Sequence, residues 1–74
     1  MLDYGEALKY QREVNGLSQS ELSRKTGIKQ ENISRWEQSK VIPSMDFCVQ
    51  LADFYNISLD ELVGRDWGRK ERTI

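Results

Sequence analysis

The chain has no histidine, one cysteine (Cys48) and one proline (Pro43) among its 74 residues. Without histidine there is no imidazole general base and no nucleophile–histidine pair. With one thiol and no imidazole, almost nothing is left to build a zinc site, and no internal disulfide can form. No run of apolar residues exceeds two or three, as at Val41-Ile42, so no segment reads as a membrane span. Asp3 and Glu6 sit where a secretory leader carries a basic and then an apolar stretch, so no signal peptide is expected. The chain is too short for a second core and rarely would a chain of this length enclose a substrate pocket. These absences lead us to expect a cytoplasmic, non-enzymatic protein with no metal, no cofactor, no membrane partner and no small-molecule ligand.

What is present is charge, and it is segregated. Hydrophobic residues make up 38% and charged residues 31%, a mixture suited to a folded, well-solvated domain rather than a disordered segment. The net charge of −1 conceals a pattern along the chain. Residues 9–40 carry Lys9, Arg12, Arg24, Lys25, Lys29, Arg35 and Lys40 against four glutamates, a balance of +3. Residues 41–64 carry Asp46, Asp53, Asp60 and Glu61 with no base, a balance of −4. Residues 65–74 return to +2. The central segment can face a polyanion while the next faces away. A merely solvated polar surface fits the same charges about equally well.

The punctuation is helical. Ser18-Gln19-Ser20-Glu21 and Ser58-Leu59-Asp60-Glu61 have the form of capping boxes, in which serine and glutamate satisfy orphan backbone donors reciprocally. Gly16, Gly27 and Gly64 each follow a helical stretch, where a left-handed residue ends the helix. Ser44 after Pro43 can cap a further helix with Asp46 in its first turn. No stretch alternates with period two long enough to make a strand. The pattern predicts five helices, at about residues 3–15, 18–25, 29–38, 44–55 and 59–63. In the fourth, Cys48, Leu51, Ala52 and Tyr55 form one apolar stripe. Leu8, Leu17, Leu22, Ile28, Ile33, Trp36, Ile57, Leu59 and Leu62 complete one core. Each such side chain contributes about 1.5–3 kcal/mol on burial, enough for one small domain with little to spare. Cys48 is expected in that core. Phe47, Phe54, Val63 and Trp67 are expected to be partly exposed, as a dimer contact or as the edge of the core.

Residues 17–40, LSQSELSRKTGIKQENISRWEQSK, hold the most information. A capped helix stops at Gly27, a short turn follows, and a second helix places Ile33 inward, the layout of a helix-turn-helix. On a helical wheel Trp36 and Glu37 flank Ile33, whereas Glu31, Arg35 and Gln38 lie opposite and Ser34 to one side. One side of this helix is core and the other projects outward.

Leu17-Ser18-Gln19-x-x-Leu22, Gly27, Ile33-Ser34-Arg35-Trp36-Glu37, Pro43, Leu51-Ala52 and Asn56-Ile57-Ser58-Leu59-Asp60-x-Leu62 with Gly64-Arg65 together resemble the lambda-repressor/Cro-like, or XRE, helix-turn-helix family. The resemblance covers residues 4–65, nearly the whole chain. It implies an all-α, five-helix domain over residues 1–65; residues 66–74 lie past the match and are expected to form a short, flexible tail. It also implies sequence-specific binding of double-stranded DNA by a transcriptional regulator, a repressor acting as a homodimer on a palindromic operator. An antitoxin-like or other protein-interaction module, with DNA binding secondary, is the alternative. By position, the resemblance assigns base contacts to Gln30, Glu31, Ser34 and Arg35, an anchor on phosphate to Gln19, and an ion pair near a phosphate to Arg12 and Glu37. The chemistry of the outward face suits those roles. Arg35 can donate twice to guanine, Gln30 can pair with adenine, and Glu31 can accept from cytosine, each good pair discriminating by about 1–3 kcal/mol. Lys29 and Lys40 join Gln19 as expected phosphate contacts. Two positions depart from the family pattern. Lys29 stands where a capping Ser or Thr is usual, and Ser23 stands where Ala is usual and requires a partner for its hydroxyl.

Overall fold

The computed structural model describes residues 3–64; residues 1, 2 and 65–74, including Trp67 and the expected tail, lie outside the described residues. Five helices follow one another: α1 (Tyr4–Val14), α2 (Gln19–Thr26), α3 (Gln30–Glu37), α4 (Met45–Tyr55) and α5 (Leu59–Val63). The described residues contain no strand. They contain no helix long and apolar enough to cross a membrane. The predicted bounds differ from these mainly by including the cap residues, which are only half helical.

The local signals act as the sequence predicts. Ser18 and Ser58 each accept from the backbone N–H three residues on, while Glu21 and Glu61 accept from the serine N–H groups, so both capping boxes close. The Ser18 contacts hold the Glu21 carboxyl below its ordinary range. Gly16, Gly27 and Gly64 have φ of 71°, 80° and 85°, a region open to glycine at little steric penalty. Asn56 takes the same role at the end of α4 with φ 60°. Lys29 makes no side-chain cap at the start of α3. The Ser23 hydroxyl finds its partner in the Ile28 carbonyl at 2.5 Å, across the turn between α2 and α3.

One core forms from Leu8, Leu22, Ile28, Ile33, Trp36, Leu51, Ala52 and Leu62. α1 packs on α3 and α5, α2 on α3, and α4 on α5. Cys48 is half-buried against this core, and burial pushes its thiol up from the ordinary range. Phe47 is also half-buried, its ring 5.0 Å from that of Trp36 at 51°. Val63 is half-buried and Phe54 is exposed. Leu59, expected in the core, is instead 38% exposed, because the first residue of this short helix stands at the rim of the cluster.

The tightest approach joins α1 to the end of α3. A Cβ added to Gly5 would lie 2.5 Å from the Glu37 carbonyl oxygen, 2.8 Å from that of Trp36, and against the Ser39 hydroxyl. Only hydrogen fits there. Asp3 closes the same corner: it caps α1 through the Glu6 N–H and accepts from the Ser39 hydroxyl at 2.9 Å. The Ser39 bond, with the Glu6 N–H, holds the Asp3 carboxyl below its usual range.

Candidate nucleic-acid interface

The turn between α2 and α3 is short, and Leu22, Ile28, Ile33 and Trp36 fix both helices on the core. With Ile33 and Trp36 buried, the opposite side of α3 must look outward. Gln30, Glu31, Arg35 and Gln38 are exposed, and Ser34 is half-buried at the boundary. The Ser34 hydroxyl accepts from the Gln38 amide at 2.7 Å, which ties two polar groups one turn apart. Lys29 and Lys40 are exposed at the two ends of α3. The Lys40 N–H donates to the Arg35 carbonyl at 3.0 Å, so the chain leaving α3 is held close to the helix end. The first turn of α3 has no side-chain cap, and the N-terminal end of the helix carries the positive field of its backbone dipoles.

Arg12 and Glu37 meet behind this surface. Arg12 Nε donates to Glu37 Oε2 at 2.8 Å, and Nη2 donates to Oε1 at 2.9 Å, a bidentate pair between α1 and the last residue of α3. The two side chains are 11% and 5% exposed. Nη1 donates to the Leu17 carbonyl at 2.8 Å, just before α2. The guanidinium therefore ties three helices at one point. Its bond to Glu37 raises the Arg12 pKa, and burial opposes that rise only in part. Each guanidinium nitrogen donates one bond inside the fold, which uses three of the five N–H groups of Arg12.

Gln19, the first residue of α2, is half-buried. Its Nε2 donates to Glu37 Oε1 at 3.0 Å. Nothing in the sequence pattern joined Gln19 to Glu37, since the residues stand eighteen apart on different helices. The signal was indirect: both were assigned beside the DNA backbone by the resemblance. Tyr55 lies nearby, with its hydroxyl buried and without a hydrogen-bond partner among the described residues. Burial, with the Glu37 charge adding, pushes this phenol up to about 12. A small cavity with room for about one water-sized sphere, 10 Å³, is lined by Leu8, Leu22, Ile33, Trp36, Leu51, Tyr55 and Glu37. It is far too small for an organic ligand.

Comparison with known proteins fits this arrangement. A family model described as helix-turn-helix matches residues 8–62. The chain is 34% identical over 65 residues to the HTH-type transcriptional regulator ImmR of Bacillus subtilis, covering 88% of this chain and 51% of that protein. It is 33% identical over 66 residues to the cryptic phage CTXphi transcriptional repressor RstR of Vibrio cholerae, covering 89% of this chain and 58% of the repressor. It is 37% identical over 62 residues to the antitoxin HipB of Escherichia coli, covering 70% of each chain. The chain thus spans about half the length of the first two of these relatives. A transcriptional regulator from Listeria innocua shares the fold, with a TM-score of 0.73 at 21% identity over 82% of this chain and 57% of that one. With the match over residues 8–62, the bundle and its open α2–α3 unit, the chain belongs to the lambda-repressor/Cro-like, XRE-type helix-turn-helix family of DNA-binding regulators.

Proposed function

We propose that this chain is a cytoplasmic, non-enzymatic regulator that binds specific sequences in double-stranded DNA and represses transcription by occupying a palindromic operator as a homodimer. The observation that carries this reading is the uncovered polar side of α3, with Glu31 and Arg35 exposed opposite buried Ile33 and Trp36 and Gln30 exposed as the first residue of the helix. A helix so presented, after a short turn from a second helix, can enter the major groove end first. In the groove, Gln30 pairs with adenine, Arg35 donates twice to guanine and Glu31 accepts from cytosine, with Ser34 at the edge of the contact. Gln19, Lys29 and Lys40 set the register on the backbone by contacting phosphates. The domain responsible spans residues 1–65, and residues 66–74 form an appended tail.

Random-duplex selection tests this directly, because it reports binding, half-site sequence and half-site spacing together. The expected outcome is a two-fold symmetric site whose halves lie about one helical turn apart. Gln30→Ala with Arg35→Ala abolishes selection while the helical circular dichroism is retained. With about three or four phosphates neutralised per subunit, log K falls by about 0.9 per phosphate for each decade of salt. A folded protein that selects no duplex, or one whose affinity ignores salt, overturns the reading.

The likeness to an antitoxin favours a second reading, in which a protein is the main partner and DNA binding is secondary. Val41, Ile42, Met45 and Val49 are exposed before and within α4 and offer apolar surface for such a contact. The same selection experiment separates the two readings.

A further inference from the structure

We propose that Glu37 is a positioning residue for DNA binding: it holds the amide of Gln19 so that one N–H faces a DNA phosphate at the start of α2. This rests on the DNA-binding reading above and adds to it a role for a group that itself stays inside the fold. A carboxylate only accepts hydrogen bonds, so Gln19 must turn its nitrogen, not its oxygen, towards Glu37. That nitrogen carries two hydrogens. One is committed to Glu37 Oε1 at 3.0 Å. Gln19 is half-buried, so part of the residue remains accessible to solvent. A phosphate also only accepts, so the second N–H is the group that can meet it.

The anchor is itself rigid. Glu37 is held at both oxygens by Arg12, and Arg12 is held by the Leu17 carbonyl two residues before Gln19. Each Arg12 nitrogen donates one bond inside the fold and Arg12 is buried, whereas Gln19 is half-buried, so Gln19 is the more accessible donor of this cluster. Cut loose from Glu37, the glutamine samples many rotamers and both amide orientations. Fixing such a side chain on binding weakens affinity by about 2- to 12-fold.

The test compares Gln19→Ala in two backgrounds. One is the natural protein. The other carries Arg12→Met with Glu37→Leu, an apolar exchange that removes both charges together and so leaves no bare ion in the fold. Affinity is measured on the selected duplex, by fluorescence anisotropy, with folding checked by circular dichroism. Gln19→Ala weakens binding by about fivefold or more in the natural background and by less than about twofold in the exchanged one. Equal losses in both backgrounds overturn the positioning role, as does no loss in the natural background. Absence of duplex binding by the natural protein is a different failure, that of the regulator reading itself. Side-chain amide spectra of the natural protein give a second measurement independent of any variant. One Gln19 N–H resonance shifts on adding duplex while the Glu37-bound one stays in place. Both shifting together, as the bond to Glu37 is released, overturns the proposal.

Discussion

The Arg12–Glu37 pair gives the sharpest quantitative test of the fold. Replacing Glu37 by alanine leaves a guanidinium whose side chain is 11% exposed with only the Leu17 carbonyl as partner. Breaking a buried pair in this way costs about 3–5 kcal/mol, because the remaining charge is neither solvated nor paired. A domain of this length has about 4–11 kcal/mol of stability in total, so the loss takes a large share of it. At about 4 °C or more per kcal/mol for a chain of this size, the melting temperature falls by at least about 12 °C. Arg12→Ala strands the carboxylate with only the Gln19 amide and is expected to act similarly. The double alanine variant leaves a void but no bare charge, so its loss is smaller than the two single losses together. Urea unfolding followed by circular dichroism measures the difference, with an expected coupling of about 1–3 kcal/mol. Losses that add to within about 0.5 kcal/mol refute the argument. Because the pair is shielded from solvent, raising the salt concentration leaves this coupling nearly unchanged.

Three further outcomes follow from individual residues. Gly5→Ala forces a methyl against the Glu37 and Trp36 carbonyls and lowers stability by about 1–3 kcal/mol in a thermal melt; an unchanged melt would show that α1 can move aside freely. Lys29→Ser supplies the missing cap of α3 and raises stability by about 1 kcal/mol, while reducing the salt slope of duplex binding by about 0.9 if the ammonium meets a phosphate. Tyr55→Phe removes a buried hydroxyl that has no partner among the described residues and leaves stability at neutral pH unchanged or higher. The folded-state pKa of Tyr55, about 12, lies above its ordinary value of 10.0, so its contribution is complete below pH 10 and is lost as pH rises towards 12. The natural protein therefore loses stability across that window, and Tyr55→Phe flattens the loss when melting is followed against pH.

Features that act within one turn of chain were legible in the sequence. Ser18 with Glu21, Ser58 with Glu61, and the glycines after the helices are local chemistry, and so is the stripe of α4. The lack of a cap at Lys29 and the need of Ser23 for a partner came from comparing those two positions with the family pattern. The Arg12–Glu37 pair came from family resemblance, because periodicity does not say which helices lie side by side. What stayed hidden depends on close approach between distant segments. Gly5 reads as a weak helix residue until the end of α3 is laid across it. Ser39 gives no sign of its φ of 59° or its bond to Asp3. Phe47 was set apart from the stripe of α4, yet it reaches the ring of Trp36, a contact between helices that no wheel displays.

The eight residues of α3 begin without a side-chain cap, and a helix this short is marginal in water by itself. Its shape is therefore imposed by Ile33 and Trp36 gripping the interior and by Glu37 reaching across to α1. A detached peptide of residues 30–37 is then expected to be a coil. If α3 is the proposed reading helix, recognition and the melting of the bundle become one transition, so warming through the midpoint abolishes duplex binding at the same temperature at which the helices disappear.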